Sequence, residues 1–405
     1  MTPPETGPVV PAATQPTKIR VAHVVDSLAG SGGAENRLVE EIVAIGDRFD
    51  HLVVRLFERD FLQGRLVAAG VPVVGLGFQA RHAGRSWPLA SVRLRSVLRD
   101  WRPDVVHTSL FTGNLVGQLA SRWLDLPVLS SFNRTGDQLL QRALQPGVAS
   151  WRGRVMQAIA RWVGSGGDVH YRAVGEYVRR TNSALFDVPL DRITVVPRGI
   201  DVDETTQSSS RADFGLPVDG PLIVNVARLV PEKGQHLLVE AFARVRTAHP
   251  RAQLAIAGAF GSAEPAVQAA IDRLGVRAAA HLLGFRADAR ALIAAADVFV
   301  LSSVSEGSPG VVLEALALGT PVVAFDIPPV AELTDSGRVA RLAPAGSVDG
   351  LAESLLAALG SPDRPAEIAA GQQWARRFDL AKVARDLGDL LEERVHRQTA
   401  VRVRR

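Results

Sequence analysis

Short β-rich apolar runs alternate with helical segments along almost the whole chain, and this alternation restricts the fold more than any other feature. In the first half the strand candidates read IRVAHVV, HLVVRLF, VPVVGLG, DVVHTSL, PVLSSFN, VHYRAVG and ITVVPRG. Amphipathic stretches such as LASVRLRSVLRDW and GNLVGQLASRWL lie between them. After the polar patch DETTQSSSRADFG the pattern restarts with PLIVNVARL, AQLAIAG, AHLLGF, DVFVLSS, PVVAFD and RVARLAP. Strands separated by crossover helices pair in parallel, so an α/β chain is predicted. At 405 residues it is too long for one ordinary core, and two doubly wound, Rossmann-like parallel-sheet domains are expected. The expected divisions are a disordered Pro/Thr-rich tail over 1–17, a first domain over 18–203, a linker over 204–215, a second domain over 216–376, a helix over 377–396 and a basic tail over 397–405. Ligands of open α/β sheets bind beyond the carboxyl ends of the strands. The inter-domain cleft is therefore the expected site, and the loops directly after strands should carry the chemistry.

Composition narrows the chemistry. There are no cysteines, which excludes disulfides, thiol nucleophiles and Cys-based zinc sites. The nine histidines show no metal-ligand spacing, so no metal and no cofactor are expected. No apolar run reaches the ~18 residues that span a bilayer, and the first residues carry no apolar signal core, so a cytoplasmic enzyme is expected. Residues 1–200 hold 24 Arg and Lys against 17 Asp and Glu, a net +7, while the remainder is −3. A basic first half fits an anionic partner or a peripheral contact at the inner membrane face, although arginine-rich composition alone produces the same count.

Three loops stand out. After the first strand, DSLAGSGGAENRLVEEI places Gly30, Gly32 and Gly33 ahead of a helix. The spacing misses the dinucleotide fingerprint, because Glu35 stands where the third glycine belongs, and Glu58 lies too far on for a ribose acid. A tight turn and a ligand loop both fit. In VARLVPEKGQHLLVEAF, Arg228 ends a strand and Lys233 stands at a helix start. Two cations beside unpaired helix N–H groups make a diphosphate clamp. Lysine is used only at Lys18, Lys233 and Lys382, so its use here hints at a geometric need. In SEGSPGVVLEA, Gly307, Ser308 and Gly310 allow close packing on a ligand, and the N–H groups of Gly310 and Val311 lie at a helix start. Pro309, which lacks an N–H, suits the first turn. Glu306 and Glu314 flank this knot; two carboxylates repel an anion but accept from the hydroxyls of the same ligand.

ARLVPEKG, SEGSPGVVLEALALGTPVVAFD with its E-x7-E spacing, VVPRGIDVD and GSGGAE together resemble the retaining glycosyltransferases of family 4, which have the GT-B fold. The resemblance runs from about Ile19 to Leu391. It implies a UDP- or GDP-linked sugar donor held by the second domain, an acceptor glycan, glycolipid or small molecule held mainly by the first, and a final helix that crosses back to the first domain. By that resemblance Arg228 and Lys233 neutralise the diphosphate, Glu306 binds sugar hydroxyls and Glu314 the ribose. Gly307, Ser308, Gly310, Val311, Gly32 and Gly33 would line the donor, with the base near Phe285 and Arg286. Reaction on one face of the sugar, with the leaving phosphate assisting deprotonation of the acceptor, follows from the same likeness. The family often carries H-x-H after the fourth strand, and here His107-Thr108-Ser109 puts a hydroxyl in the second place. Ser109, His107, Asn133 and Arg134 are the candidates for the acceptor or sugar side, with a buried structural role open for His107.

Asp201-Val202-Asp203 has the form of a metal-binding D-x-D, but a diphosphate already met by Arg and Lys needs no metal. VASWRGRVMQAIARWVG sets Trp151, Val155 and Trp162 among Arg152, Arg154 and Arg161; a helix covering the first sheet is favoured over one that docks on lipid. The rival readings are a sugar-nucleotide epimerase, a dinucleotide-dependent oxidoreductase and a catalytically silent sugar-nucleotide-binding subunit.

Overall fold

A computed structural model describes residues 18–30, 33–79, 83–136, 150–203 and 209–403. The tail over 1–17, Gly32, residues 204–208 of the expected linker and the last two residues lie outside that set. The chain divides into two compact units, one comprising Met1–Gly199 with Leu380–Arg405 and the other Ile200–Asp379. Each unit is a parallel sheet with helices on both faces, the arrangement of the GT-B fold.

The first unit holds β1 (Ile19–Val25), β2 (Phe49–Phe57), β3 (Val73–Phe78), β4 (Val105–Ser109), β5 (Val128–Phe132), β6 (Val169–Ala173) and β7 (Ile193–Val195). They lie in the order β3-β2-β1-β4-β5-β6-β7, and every pair is parallel. Alternation along β1 sends Ala22 and Val24 into a core shared with Leu94, Val97 and Val116. Val21 faces the other way, against Leu387 and Leu391 of the helix Leu380–Val403. That helix presents Val383, Ala384, Leu387, Leu390 and Leu391 to the sheet, the three- and four-residue spacing of a helix stripe.

The stretch GNLVGQLASRWL, expected to be amphipathic, is instead buried from Gly113 to Ser121 within the helix Phe111–Arg122. The helix Ala83–Trp101 packs on one side of it, and the helix Ser150–Ser165 covers it through Met156, Ile159 and Val163. Gly117 lets it lie close to the sheet, since a Cβ there would stand 2.3 Å from Thr108 Cγ2.

The second unit holds β8 (Leu222–Val226), β9 (Gln253–Ala257), β10 (Ala280–Gly284), β11 (Val298–Leu301), β12 (Val322–Asp326) and β13 (Arg341–Pro344). Their order is β10-β9-β8-β11-β12-β13, again all parallel. One face packs on Val239, Phe242 and Leu355, and the other on Leu292, Val312 and Leu316.

Candidate functional site

In the second unit the strand order reverses between β8 and β11, so the crevice beyond their carboxyl ends is the place where a parallel sheet binds ligands. The loops leaving these two strands are stitched together. Ser302 donates its hydroxyl to the Lys233 carbonyl at 2.9 Å, and Val304 N–H reaches the Glu232 carbonyl at 3.0 Å. Gly234 makes this approach: its φ is 61°, and a Cβ would stand 2.2 Å from the Ser302 carbonyl oxygen. The side chains of Lys233 and Glu306 then meet in an ion pair, with only 14% and 11% of their surfaces exposed. The sequence places them 73 residues apart; the switch point brings them into contact.

Around this pair stand the other second-unit candidates. Arg228 is half-buried just past the end of β8. Its carbonyl accepts from Nε2 of Gln235 at 3.0 Å, and Gln235 is fully buried. Gln235 was not read from the sequence; a polar residue opening an apolar helix face, QHLLVEAF, was the available signal. Gly307 and Ser308 are buried and Gly310, Val311 and Glu314 half-buried. Among the described residues the buried Ser308 hydroxyl has no hydrogen-bond partner. The helix Gly310–Ala317 opens here with no side-chain cap, so its first N–H groups have no acceptor within the helix. Pro309 stands one position before the first turn, not in it. Glu314 lies just over one turn inside.

The base-side candidates divide. Phe285 is 60% exposed beyond the edge strand β10 and offers an aromatic face. Arg286 is committed elsewhere, donating to Asp288 at 2.5 and 2.8 Å and lying 5.3 Å from the centre of the Phe214 ring. Hydrogen bonding to Asp288 raises its already high pKa. Asp201 takes the Asp203 N–H at 3.1 Å in a local turn. Among the described residues no group of three or more acidic or histidine side chains gathers as for a metal ion.

In the first unit the order reverses between β1 and β4. Gly33 starts the helix Gly33–Ala44, and Glu35, 8% exposed, accepts the Ser27 hydroxyl at 2.5 Å. The residue that breaks the dinucleotide spacing is thus a tie that fixes the loop. Ser109 is buried at the end of β4 and receives a hydrogen bond from Asn133 Nδ2 at 3.3 Å. Arg134 follows, half-buried, its carbonyl taking the Asn182 amide at 2.9 Å.

His107 does not reach a ligand surface. It is 1% exposed, with Nδ1 3.0 Å from His23 Nδ1 and Nε2 2.8 Å from the Ser131 hydroxyl. His23 Nε2 lies in turn 2.9 Å from His51 Nδ1. Burial pushes the imidazole of His107 down to about 3 and that of His51 to about 4, and His23 falls well below its ordinary value for the same reason. These are neutral side chains that hold β2, β1, β4 and β5 together, which for His107 is the buried structural role that its sequence left open.

Further along, Val155 and Trp162 lie 47% and 57% exposed on the helix Ser150–Ser165, with Arg154 and Arg161 also exposed. The Arg122 guanidinium lies 5.3 Å above the Trp162 ring. The side chains of Trp151 and Arg152 are outside the described residues. Among the described residues no helix is long and apolar enough to cross a membrane.

Residues 206–373 match the family model described as glycosyl transferases group 1, and residues 29–199 match that of the glycosyl transferase 4-like domain. The chain is 30% identical over 310 residues to the D-inositol 3-phosphate glycosyltransferase of Xylanimonas cellulosilytica, covering 73% of each chain. It is 28% identical over 352 residues to the phosphatidyl-myo-inositol mannosyltransferase of Mycobacterium leprae, covering 80% of this chain and 86% of that one. Among solved structures, Anabaena Alr3699/HepE in complex with UDP and glucose superposes with a TM-score of 0.77 at 23% identity, over 93% of this chain and all of that one.

Proposed function

The chain belongs to the family 4 glycosyltransferases, and from that premise we propose that it transfers a sugar from a nucleotide-diphosphate donor, with retention and without a metal ion, to an acceptor hydroxyl. The observation that carries the donor assignment is the meeting of Lys233 and Glu306 at the switch point of the second unit. A cation beside an uncapped helix start suits a diphosphate. A carboxylate next to it suits the hydroxyls of the attached sugar. UDP is the favoured nucleotide, in line with the UDP held by the Anabaena relative in fold, with GDP as the other candidate.

The step itself follows from charge. The bond from the anomeric carbon to the phosphate oxygen breaks, and its electron pair leaves with the diphosphate. Arg228, Lys233 and the N–H groups of Gly310 and Val311 meet that developing negative charge, the type of stabilisation with the greatest effect on rate. The acceptor oxygen bonds to the anomeric carbon on the face being vacated, and its proton passes to the departing phosphate oxygen. Glu306 orients the sugar and Glu314 the ribose, so neither carboxylate has to act as a nucleophile. Ser308, with its buried hydroxyl, adds a further group for the phosphate.

The test is a thermal-shift panel with UDP, GDP, ADP and NAD, each with and without magnesium. A ligand at 100 times its dissociation constant adds about 2.7 kcal/mol to the folded state. A magnesium-independent rise with UDP or GDP is expected. A rise with NAD alone would overturn the reading.

A further inference from the structure

With His107 buried, the switch point of the first unit offers a further group to meet an acceptor, in addition to Ser109, Asn133 and Arg134. Val25 of β1 and Ser109 of β4 are register partners, so the next residues, Asp26 and Leu110, stand side by side beyond the carboxyl ends of the two strands. Oδ1 of Asp26 accepts the Gly113 N–H at 2.5 Å, and the N–H and hydroxyl of Thr112 also donate to the carboxyl group. All three donors belong to the first turn of the helix Phe111–Arg122. Gly113 leaves space for the carboxylate: a Cβ there would stand 3.3 Å from Oδ1 and 3.1 Å from the Val24 carbonyl.

Between strand and helix the chain passes through Leu110 at φ 68° and ψ 168°. Only glycine adopts that region without strain, and a residue held there costs about 1–3 kcal/mol. Leu110 is kept in place by packing beside Val25, Leu28 and Leu62. A less strained turn would set the helix start, and with it the donors on Asp26, in another position.

We propose that Asp26 is the carboxylate through which the first unit binds a hydroxyl of the acceptor, so that the acceptor is a sugar or polyol carrying a hydroxyl near the one glycosylated. This rests on the glycosyltransferase reading above. The group suits the task because three donors fix its position at a residue that keeps part of its surface exposed. A carboxylate has about four lone-pair positions, which leaves capacity for one more donor. Burial pushes the Asp26 carboxyl up to about 7 against the pull of the helix N–H groups, and the like charge of Glu35 on the helix Gly33–Ala44 pushes the same way. The last residue of β2 meets Asp26 through the backbone, where Phe57 N–H reaches the Asp26 carbonyl at 2.8 Å. Ionisation therefore falls in the neutral range, and the ionised form is the better acceptor for a hydroxyl.

A plain helix-capping role makes a different forecast, since asparagine caps as well as aspartate. Asp26→Asn and the wild type are compared by UDP release from UDP-glucose, in water alone and with glucose, mannose, myo-inositol or octyl glucoside added. The proposal expects polyol-stimulated kcat/KM to fall about 10- to 100-fold in Asp26→Asn, while water-only release and the KM for UDP-glucose stay within about twofold. The wild-type stimulated rate should rise with pH through about 7, and the variant should lose that limb. Gly113→Ala, whose methyl presses on Oδ1, should lower the same parameter by less. A variant with unchanged stimulated rate and pH profile, or with an equal loss in water alone, overturns the assignment. Failure of the donor reading looks different: no nucleotide raises the wild-type melting temperature, and the acceptor role for Asp26 then falls with it.

Discussion

Lys233 and Glu306 neutralise one another where a diphosphate would need the lysine. On the proposed reading, an incoming nucleotide would have to take Lys233 from Glu306, and the released carboxylate would then turn to the sugar. Replacing the carboxylate by a neutral isostere removes the competitor but keeps the shape. Glu306→Gln is therefore expected to bind free UDP about 3- to 10-fold more tightly by calorimetry, in keeping with the modest value of a mostly desolvated ion pair. The same variant should transfer sugar about 100-fold more slowly, because a hydrogen bond used in the transition state is lost. If its UDP affinity is no higher than that of the wild type, the two side chains do not exchange partners. Both residues stand out in the sequence as candidates, because a charged residue in a loop after a strand has few structural uses. Asp26 does not, since a single aspartate ahead of a glycine-rich loop looks like turn chemistry until register places it beside Leu110. For His107 the sequence leaves a ligand contact and a buried structural role both open, and its side chain is buried in a row with His23 and His51.

Three of those side chains act as one element, a row across four strands. The Ile45 carbonyl, 3.5 Å from His51 Nε2, can only accept, so His51 carries its proton on Nε2. His51 Nδ1 then accepts from His23 Nε2–H, His23 Nδ1 accepts from His107 Nδ1–H, and His107 Nε2 accepts from the Ser131 hydroxyl. Each ring is neutral with one assigned tautomer, and an added proton removes an acceptor and sets donor against donor. Because the folded pKa values lie below the ordinary 6.5, the unfolded chain binds more protons in the window between them. The stabilisation is thus complete above about pH 6.5 and is lost as pH falls toward 4. For His51 alone, folded near 4, the loss at pH 5 is on the order of 2 kcal/mol. Imidazole nitrogen shifts should show three neutral rings at pH 6, and a urea midpoint at pH 5 should lie below that at pH 7.5. An imidazolium signal from any of the three at pH 6 would sink this account. The strands themselves were legible from their apolar runs, but the row was not: it depends on strand order, which periodicity does not encode. The burial of the helix Phe111–Arg122 was hidden similarly, because Gly113, Asn114, Gly117 and Gln118 read as a polar face but lie against β1, β4 and β5, while Leu115 and Leu119 are covered by a second helix.

At the scale of the whole molecule, the chain enters the first unit twice and the second only once. Every buried member of the two cores of the second unit comes from Ile200–Asp379 itself. The first unit, by contrast, draws Val383, Leu387, Leu390 and Leu391 from the final helix to cover Val21, Val105, Leu129 and Val196. Arg48 adds ion pairs to Asp389 and Glu392 at 2.8 and 2.7 Å, and Arg394 pairs with Asp168. Four large apolar side chains at about 2 kcal/mol each amount to about 8 kcal/mol, comparable to the roughly 5–15 kcal/mol that keeps a domain folded. The two units should therefore behave oppositely when cut apart. Residues 200–379 alone are expected to fold, to melt cooperatively and to retain UDP binding within about tenfold of the full chain, since Arg228, Lys233, Glu306 and Glu314 all travel with them. Residues 18–199 alone should lack cooperative unfolding, and adding the segment 380–403 as a separate chain should restore it. Loss of UDP binding by the excised 200–379 unit while it remains folded would mean that the first unit supplies a necessary part of the donor site. A cooperative melt of 18–199 without the helix would show that the hydrophobic cover over β1 and β4 is worth far less than its area suggests.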